Sequence, residues 1–246
     1  MPWRRDTRPY YILVSELMLQ QTQVARVIPK FEEFIGVFPD VQSLADASLA
    51  DVLKRWQGLG YNRRAKFLHE SAKMIVRDYG EDFPIEDKDL LGLPGVGRNT
   101  AGAIAAYAFN RPALFVETNV RTVYIHHFFN DAFSVDDRQI IDVLGRTLDK
   151  ERPREFYWAL MDYGAHLKAG GIRNIDQSRH YKKQSPLMGS VRQVRGQIIR
   201  TLSDGDRPET ALRAAVEADD RYEAAMTGLI KDGLVTIRRG QVYLTK

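Results

Sequence analysis

The stretch "LPGVGRNTAGAIAAYAF", residues 93–109, decides how the chain is read. Pro94, Gly95 and Gly97 make a tight loop between a short helix, roughly "DKDLLGL", and a long helix of small residues. Glycine lets a backbone approach a ligand closely. The helix that follows aims free N–H groups and the positive end of its dipole at an anion. The pattern is a hairpin of helices gripping phosphate, with Gly95 and Gly97 in its loop. Such a grip reads no bases, which suits a nucleic-acid backbone. A tight inter-helix turn, with glycines for packing, is the alternative.

Outward from this hairpin, helical spacing dominates residues 10–168. Leu49, Val52, Leu53 and Trp56 fall at i, i+3, i+4 and i+7. Ala65, Leu68, Ala72 and Ile75 form a second stripe, with Gly80 as its stop. Phe156, Ala159, Leu160, Tyr163 and Leu167 form a third. Short turns at 38–40, 83–87 and 111–113 separate the helices, and strand signals are almost absent, so the body is all-α. Residues 169–189 lose periodicity and gain Gly, Ser and basic residues, which marks a boundary. Beyond it, stripes at Val194, Ile198, Ile199, Leu202 and at Tyr222, Ala225, Met226, Leu229, Ile230 precede "LVTIRRGQVYLT", which alternates like a hairpin. Residues 190–246 therefore read as a small winged-helix-like domain with Arg238 and Arg239 on the wing. No internal repeat is found.

The chain has 246 residues, 44% of them apolar and 28% charged, as in an ordinary globular protein. The formal charge of +4 is compatible with a polyanionic partner without establishing one. With no cysteine, disulfides, thiolate nucleophiles, cysteine zinc sites and iron–sulfur clusters are excluded. No run approaches the about 18 apolar residues of a membrane span. The N-terminus lacks a signal-peptide core, so a cytoplasmic, nucleoid-associated protein is expected.

Two carboxylates stand out. Glu16 sits inside "YYILVSELMLQQTQV", residues 10–24, a stretch apolar on most faces. A buried carboxylate without a partner is costly, so it usually has a raised pKa, a partner or a task. Glu117 follows Leu114, Phe115 and Val116 and precedes Thr118 and Asn119; a plain helix cap is the competing reading. Breaking a glycosidic bond calls for such a pair: an acid for the leaving group and a carboxylate for the oxocarbenium-like transition state. A base inside a duplex must first be extruded and its gap filled. Gln20 and Gln21, one turn after Glu16, offer a wedge, and Tyr61 after "GLG" offers a stacking face.

"PWRRDTRPYYILVSELMLQQTQVARVIPKFEEF", "WQGLGYNRRAKFLH", "LPGVGRNTAGAI", "VETNVRTV" and "MDYGAHLK" resemble, in order and spacing, the adenine-DNA glycosylase (MutY) family of the helix-hairpin-helix DNA glycosylase superfamily. The match runs from residue 2 to about residue 168. The resemblance implies a helix-hairpin-helix glycosylase domain over residues 1–168. It makes Glu16 the acid that protonates the departing purine, places Glu117 at the catalytic aspartate, and matches Asn119 and Arg4 to active-site residues. Gln21 and Tyr61 match residues inserted at the gap and around the opposite base, and Leu93, Gly95, Val96 and Gly97, with the amides beyond at Arg98 and Thr100, match the grip on backbone phosphates. The superfamily also implies a monovalent cation held by hairpin carbonyls, at Leu93 and Gly95.

This sequence departs from the family in several places. Glu117 reaches further than aspartate by one bond, ~1.5 Å. Asn99 stands where bifunctional relatives resembling endonuclease III carry a lysine nucleophile; an amide forms no Schiff base, which favours a monofunctional hydrolase. The cysteines of the family's iron–sulfur cluster should begin near Lys168 and are absent. Arg173, Arg179, His180, Lys182 and Lys183 stand in that loop, either as DNA-facing charge or as a solvated linker. The family's 8-oxoguanine-recognition domain is missing too. His126 and His127 read as a packed or surface pair.

The expectation is a monomeric DNA N-glycosylase of base excision repair. It hydrolyses the glycosidic bond of a flipped base, adenine in a mispair, in double-stranded DNA with a mismatched or damaged base. It uses no cofactor, no side-chain metal site and no membrane. A mismatch uracil or thymine glycosylase and a non-catalytic DNA-binding protein are the alternatives.

Overall fold

The computed structural model describes residues 1–80, 82–181 and 184–245. Eleven α-helices account for most of residues 2–169: α1 Pro2–Arg5, α2 Pro9–Leu19, α3 Val24–Val37, α4 Val41–Asp46, α5 Leu49–Arg55, α6 Arg63–Tyr79, α7 Asp87–Gly92, α8 Arg98–Phe109, α9 Thr118–Phe128, α10 Asp137–Thr147 and α11 Pro153–Ala169. α2 is the axis. Ile12, Leu13, Val14, Leu17 and Met18 are all out of water, because α3, α6 and α8 close on it from different sides. Burying such side chains is worth about 1.5–3 kcal/mol each, which is what tolerates a carboxyl in the same helix. Trp3 and Tyr11 pack edge-on against Phe31, and Phe34 edge-on against Trp56, sealing the α1–α5 side.

Local sequence explains the helix ends. Asp40, in the first predicted turn, accepts the Ser43 amide at 2.8 Å and starts α4; Asp136 starts α10 with Gln139 in the same reciprocal way. Gly80 ends α6 in the left-handed conformation, φ +58°.

The second half of the body pairs α9 with α11. Here the expected apolar stripe of α11 is rotated by one residue: Tyr157, Gly164 and Leu167 are buried, while Ala159 and Tyr163 face outward. The cause is Gly164. A Cβ there would lie 2.7 Å from the Asn119 Cβ and carbonyl oxygen, so glycine allows α11 to press its backbone onto α9. Tyr163 instead stacks on His127 and bonds to it at 2.9 Å, making that histidine part of a surface pair.

Residues 172–179 are pinned to the body. The Asn174 amide donates to Thr122 O at 3.0 Å, Gln177 O accepts from Val135 N at 2.7 Å, and Arg179 reaches the Ser134 hydroxyl at 2.9 Å. That part is not a solvated linker. Lys182 and Lys183 lie outside the described residues.

The C-terminal unit runs α12 Val191–Ser203, β1 Arg207–Pro208, α13 Glu209–Ala215, α14 Tyr222–Lys231, β2 Val235–Arg238 and β3 Gln241–Leu244. The strands form an antiparallel sheet in the order β1-β3-β2, which is winged-helix topology. Two-residue β1 escaped the sequence reading because it is too short to alternate. Arg238 and Arg239 are exposed at the β2–β3 turn, the wing. No helix among the described residues is long and apolar enough to cross a membrane.

Candidate active site

Glu16 lies in the last turns of α2 and is only 9% exposed. Its carboxyl makes no hydrogen bond or ion pair among the described residues. Burial, reinforced by the negative charge of Glu117, holds its pKa well above the ordinary 4.5. Burial at the edge of the core therefore favours the protonated form of Glu16. Glu117 stands at the N-cap of α9, yet no backbone amide donates to its side chain, so the plain cap reading fails. Burial raises its pKa as well, but Arg121, one turn along α9, opposes the shift. Two like charges this close do not both ionise readily, and the environments divide the roles. The bias toward the protonated form is the stronger at Glu16, while Arg121 works against it at Glu117.

A third group faces both. Tyr107 of α8 is almost fully buried, stacked on Trp158 at 6.4 Å and edge-on to Phe115 at 6.1 Å. Its hydroxyl is held well above its ordinary pKa by burial, then by Glu117 and Glu16, with Arg4 acting in the opposite direction. Amid the alanines of "AIAAYAF" it reads as core. Arg4 comes from α1 and forms a forked pair with Asp162 of α11, at 2.8 and 2.9 Å. That bridge ties the N-terminal helix to α11.

The remaining predicted residues fall into two groups. Asn99 and Asn119 hold the Glu117 segment. The Asn99 amide donates to Val116 O at 2.9 Å and accepts from Val116 N at 3.4 Å, so it braces the residue before Glu117. Asn119 receives the Lys168 ammonium at 2.7 Å and contacts Met161 sulfur at 3.6 Å. Lys168, whose pKa burial lowers, thus occupies the expected start of the cysteine cluster with a direct bond to the site.

The other group surrounds the hairpin, which joins α7 to α8. The side chains of Leu93, Val96 and Thr100 point into the body, so only their backbone is available outside. Gly95 has φ +78°, and a Cβ would lie 2.7 Å from Phe67 Cβ and 3.2 Å from Leu17 Cδ2. Gly97 differs: its φ of −90° is ordinary, and a Cβ there would meet nothing within 4 Å. No internal constraint calls for glycine at that position; the room it leaves is on the outside. The amides of Arg98, Asn99 and Thr100, at the start of α8, have no intrahelical acceptor, and no acidic residue occupies that first turn.

Gln20 is not a free wedge: its amide donates to Gly95 O and to the Thr100 hydroxyl, both at 3.3 Å. It couples the end of α2 to the hairpin. Gln21, the next residue, is exposed with φ +55°, and Tyr61 has φ +48°. Both unusual conformations share one support, which the sequence reading missed. Arg64 is 6% exposed and donates to Leu17 O, Met18 O, Gln20 O, Leu59 O, Gly60 O and the Thr22 hydroxyl, at 2.6–3.1 Å. Burial brings its pKa down to about 10, so it still carries its charge at neutral pH. One guanidinium thus fixes the end of α2 and the loop that carries Tyr61.

A concavity of about 480 Å³ is lined by residues such as Phe38 and Arg55, and neither carboxylate is among its lining. No cluster of three or more His, Cys, Asp or Glu side chains suited to a metal ion occurs among the described residues.

A helix-hairpin-helix together with two carboxyls whose pKa burial raises is the equipment that base excision calls for. The chain belongs to the HhH-GPD superfamily of base excision DNA repair proteins, whose profile matches residues 14–146. It is 35% identical to adenine DNA glycosylase of Mycobacterium tuberculosis (strain CDC 1551 / Oshkosh) over 259 residues, covering 96% of this chain and 85% of that protein. Adenine DNA glycosylase of Homo sapiens is 40% identical over 177 residues, 67% of this chain and 32% of that protein. Among solved structures, a thermostable thymine-DNA glycosylase superposes with a TM-score of 0.59 at 26% identity, covering 67% of this chain and 77% of that one. An endonuclease III–DNA covalent intermediate shares the fold, with a TM-score of 0.53 at 22% identity, over 73% and 78%.

Proposed function

We propose that the protein is a monofunctional DNA glycosylase that removes adenine from a mispair in double-stranded DNA, acting as a monomer. The observation that carries this is the buried Glu16, unpaired among the described residues and of raised pKa, with Glu117 acting on it, in a chain that also holds a helix hairpin with free amides. The relatives named adenine DNA glycosylase support adenine as the base.

The hairpin amides take the backbone phosphates and Gln21 enters the gap that the extruded base leaves. Glu16 passes its proton to a ring nitrogen of the adenine. The glycosidic bond breaks, and its electron pair leaves with the base. Positive charge develops on the sugar, faced by the Glu117 carboxylate. Water then adds to the sugar carbon and loses a proton to that carboxylate. The position of the lyase lysine is held by Asn99, an amide that is spent on Val116 and forms no Schiff base.

A cation at the hairpin fits the donor set. Among the described residues Leu93 O takes the Val96 amide, at 3.1 Å, and Gly95 O the Gln20 amide, leaving each carbonyl a lone pair. An iron–sulfur cluster does not fit: the chain has no cysteine. The reading is of a glycosylase working without that cluster.

A panel of duplexes with single mismatches, uracil, hypoxanthine or 8-oxoguanine pairs, with the freed base identified, tests the function. Free adenine is expected, with strand breakage only after alkali. Released thymine or uracil would move the enzyme to the pyrimidine reading; binding without release from any duplex would overturn excision. Glu117→Gln is expected to slow single-turnover release by about 10²–10³-fold, because a fixed charge aimed at the transition state is lost. The hairpin is tested by a glycine pair. Gly97→Ala should cost less than about 1 kcal/mol of stability yet weaken duplex binding, measured by titration. Gly95→Ala should lower the Tm as well, by strain of roughly 1–3 kcal/mol.

A further inference from the structure

Asn119 is gripped by one face of α11. Met161, Gly164 and Lys168 stand at i, i+3 and i+7 on that helix, and each meets it. The Asn119 amide contacts Met161 sulfur at 3.6 Å, and its Oδ1 accepts from Lys168 Nζ at 2.7 Å. Between them, its Cβ and carbonyl oxygen fill the space that a side chain at Gly164 would need. Two residues earlier stands Glu117, the N-cap of α9. Asn99 of α8 braces the residue before that. Glu117 is therefore held from both sides, by an amide of α8 behind it and by the α11 grip ahead.

A basic residue in the last turn of a helix ordinarily serves that helix's own final carbonyls. Lys168 is in the last turn of α11, but its ammonium reaches α9 instead, while the carbonyls of His166 and Lys168 take the Gly170 amide. The choice matters because an ammonium donates and never accepts. Oδ1 of Asn119 must face it, so the amide cannot turn over, and its NH₂ end is left on the Met161 side. A thioether sulfur is a weak acceptor and takes one N–H; the other has no acceptor among the described residues.

We propose that Lys168 is a positioning residue for base release: it locks the Asn119 amide with its N–H end free for the flipped nucleotide, and so steadies the turn that carries Glu117. The proposal rests on the excision reading. A cation in contact with the sugar would oppose the positive charge that develops there; one side chain back, it acts through a neutral amide.

Lys168→Met, Lys168→Gln and Lys168→Arg test this. They are compared by single-turnover release of whichever base the duplex panel identifies, and by binding to a duplex with a stable tetrahydrofuran abasic site. Methionine removes the donor, and glutamine accepts as well as donates, so either frees the amide to turn. Release should fall by about 10–10²-fold in both, with duplex affinity near wild type. Arginine only donates and should restore most of the rate. Because Lys168 acts through Asn119, Lys168→Met should cost nothing further in an Asn119→Ala background. An unchanged rate in Lys168→Met would overturn the proposal. So would an effect that multiplies with Asn119→Ala, or a parallel loss of duplex affinity, which would make Lys168 a phosphate contact. The contact itself is read without any excision, by NMR. The Asn119 side-chain N–H signals, assigned by their loss in Asn119→Ala, should shift in Lys168→Met and hold in Lys168→Arg. Signals unmoved in Lys168→Met would overturn the proposal even in a chain that releases no base. Failure of the excision reading looks different: wild type itself releases no base from any duplex.

Discussion

Glu16→Gln is expected to cut adenine release to a small residual rate while duplex binding survives. The amide is close in shape to the carboxyl, sits in the same apolar shell of α2, and has no proton to give. General-acid catalysis is worth about 10²–10⁴-fold, so single-turnover release should fall by at least the lower figure. Duplex titration should give an affinity close to wild type, because the hairpin, Gln21 and Tyr61 are untouched. Undiminished release would remove Glu16 from the mechanism.

The same variant carries a stability signature. Burial, and then Glu117, hold the Glu16 carboxyl well above 4.5 in the folded chain. A group of this kind contributes its full stability below its unfolded pKa and loses it as pH climbs to the folded value. Glutamine is neutral throughout. The Tm of the variant should therefore gain on wild type as pH rises above about 4.5, the ordinary value for this group. The gain should level off once the raised pKa is passed. A Tm difference flat with pH would mean that Glu16 is not held protonated by the fold.

Arg64→Ala is the second large effect. Its guanidinium satisfies six oxygens from two separate turns, and each buried acceptor left without a donor costs roughly 1–3 kcal/mol. With water recovering part of the set, the net loss should reach at least about 3 kcal/mol. That corresponds to a fall in Tm of roughly 6–12 °C for a chain of this size. Below that transition the variant should still bind duplex weakly through the hairpin, but base release should drop with the lost presentation of Gln21 and Tyr61. Arg64→Lys should fall between, since three donors on one nitrogen cannot span both turns. A Tm near wild type, with full activity, would dissociate Arg64 from the Gln21–Tyr61 support.

Much of this site is legible in the order of residues. The all-α body, the hairpin and the polar interruption of α2 at Glu16 follow from periodicity and from the cost of burying a carboxyl. The winged-helix order follows from two stripes and an alternating tail. What stayed hidden depends on backbone atoms. Carbonyls have no signature in a side-chain alphabet, so nothing in "YNRRAKF" says that Arg64 rather than Arg63 turns inward. Asn99 looked like an open catalytic position because its partner, the Val116 backbone, is equally silent. On α11 the apolar pattern misled by one residue, since the decisive contact of that face belongs to Gly164, which has no side chain to count. Tyr107 was hidden among alanines because an aromatic in such a helix is ordinarily core, and only the fold turns it toward two carboxyls.

The central claim is that one buried carboxyl donates a proton while its neighbour stays charged. The pH dependence of single-turnover adenine release measures this directly. Wild type should give a bell, rising as Glu117 ionises and falling as pH passes the raised pKa of Glu16, and the residual rate of Glu16→Gln should lack the falling limb. A wild-type rate that keeps rising with pH, or a falling limb that persists in the variant, would contradict it.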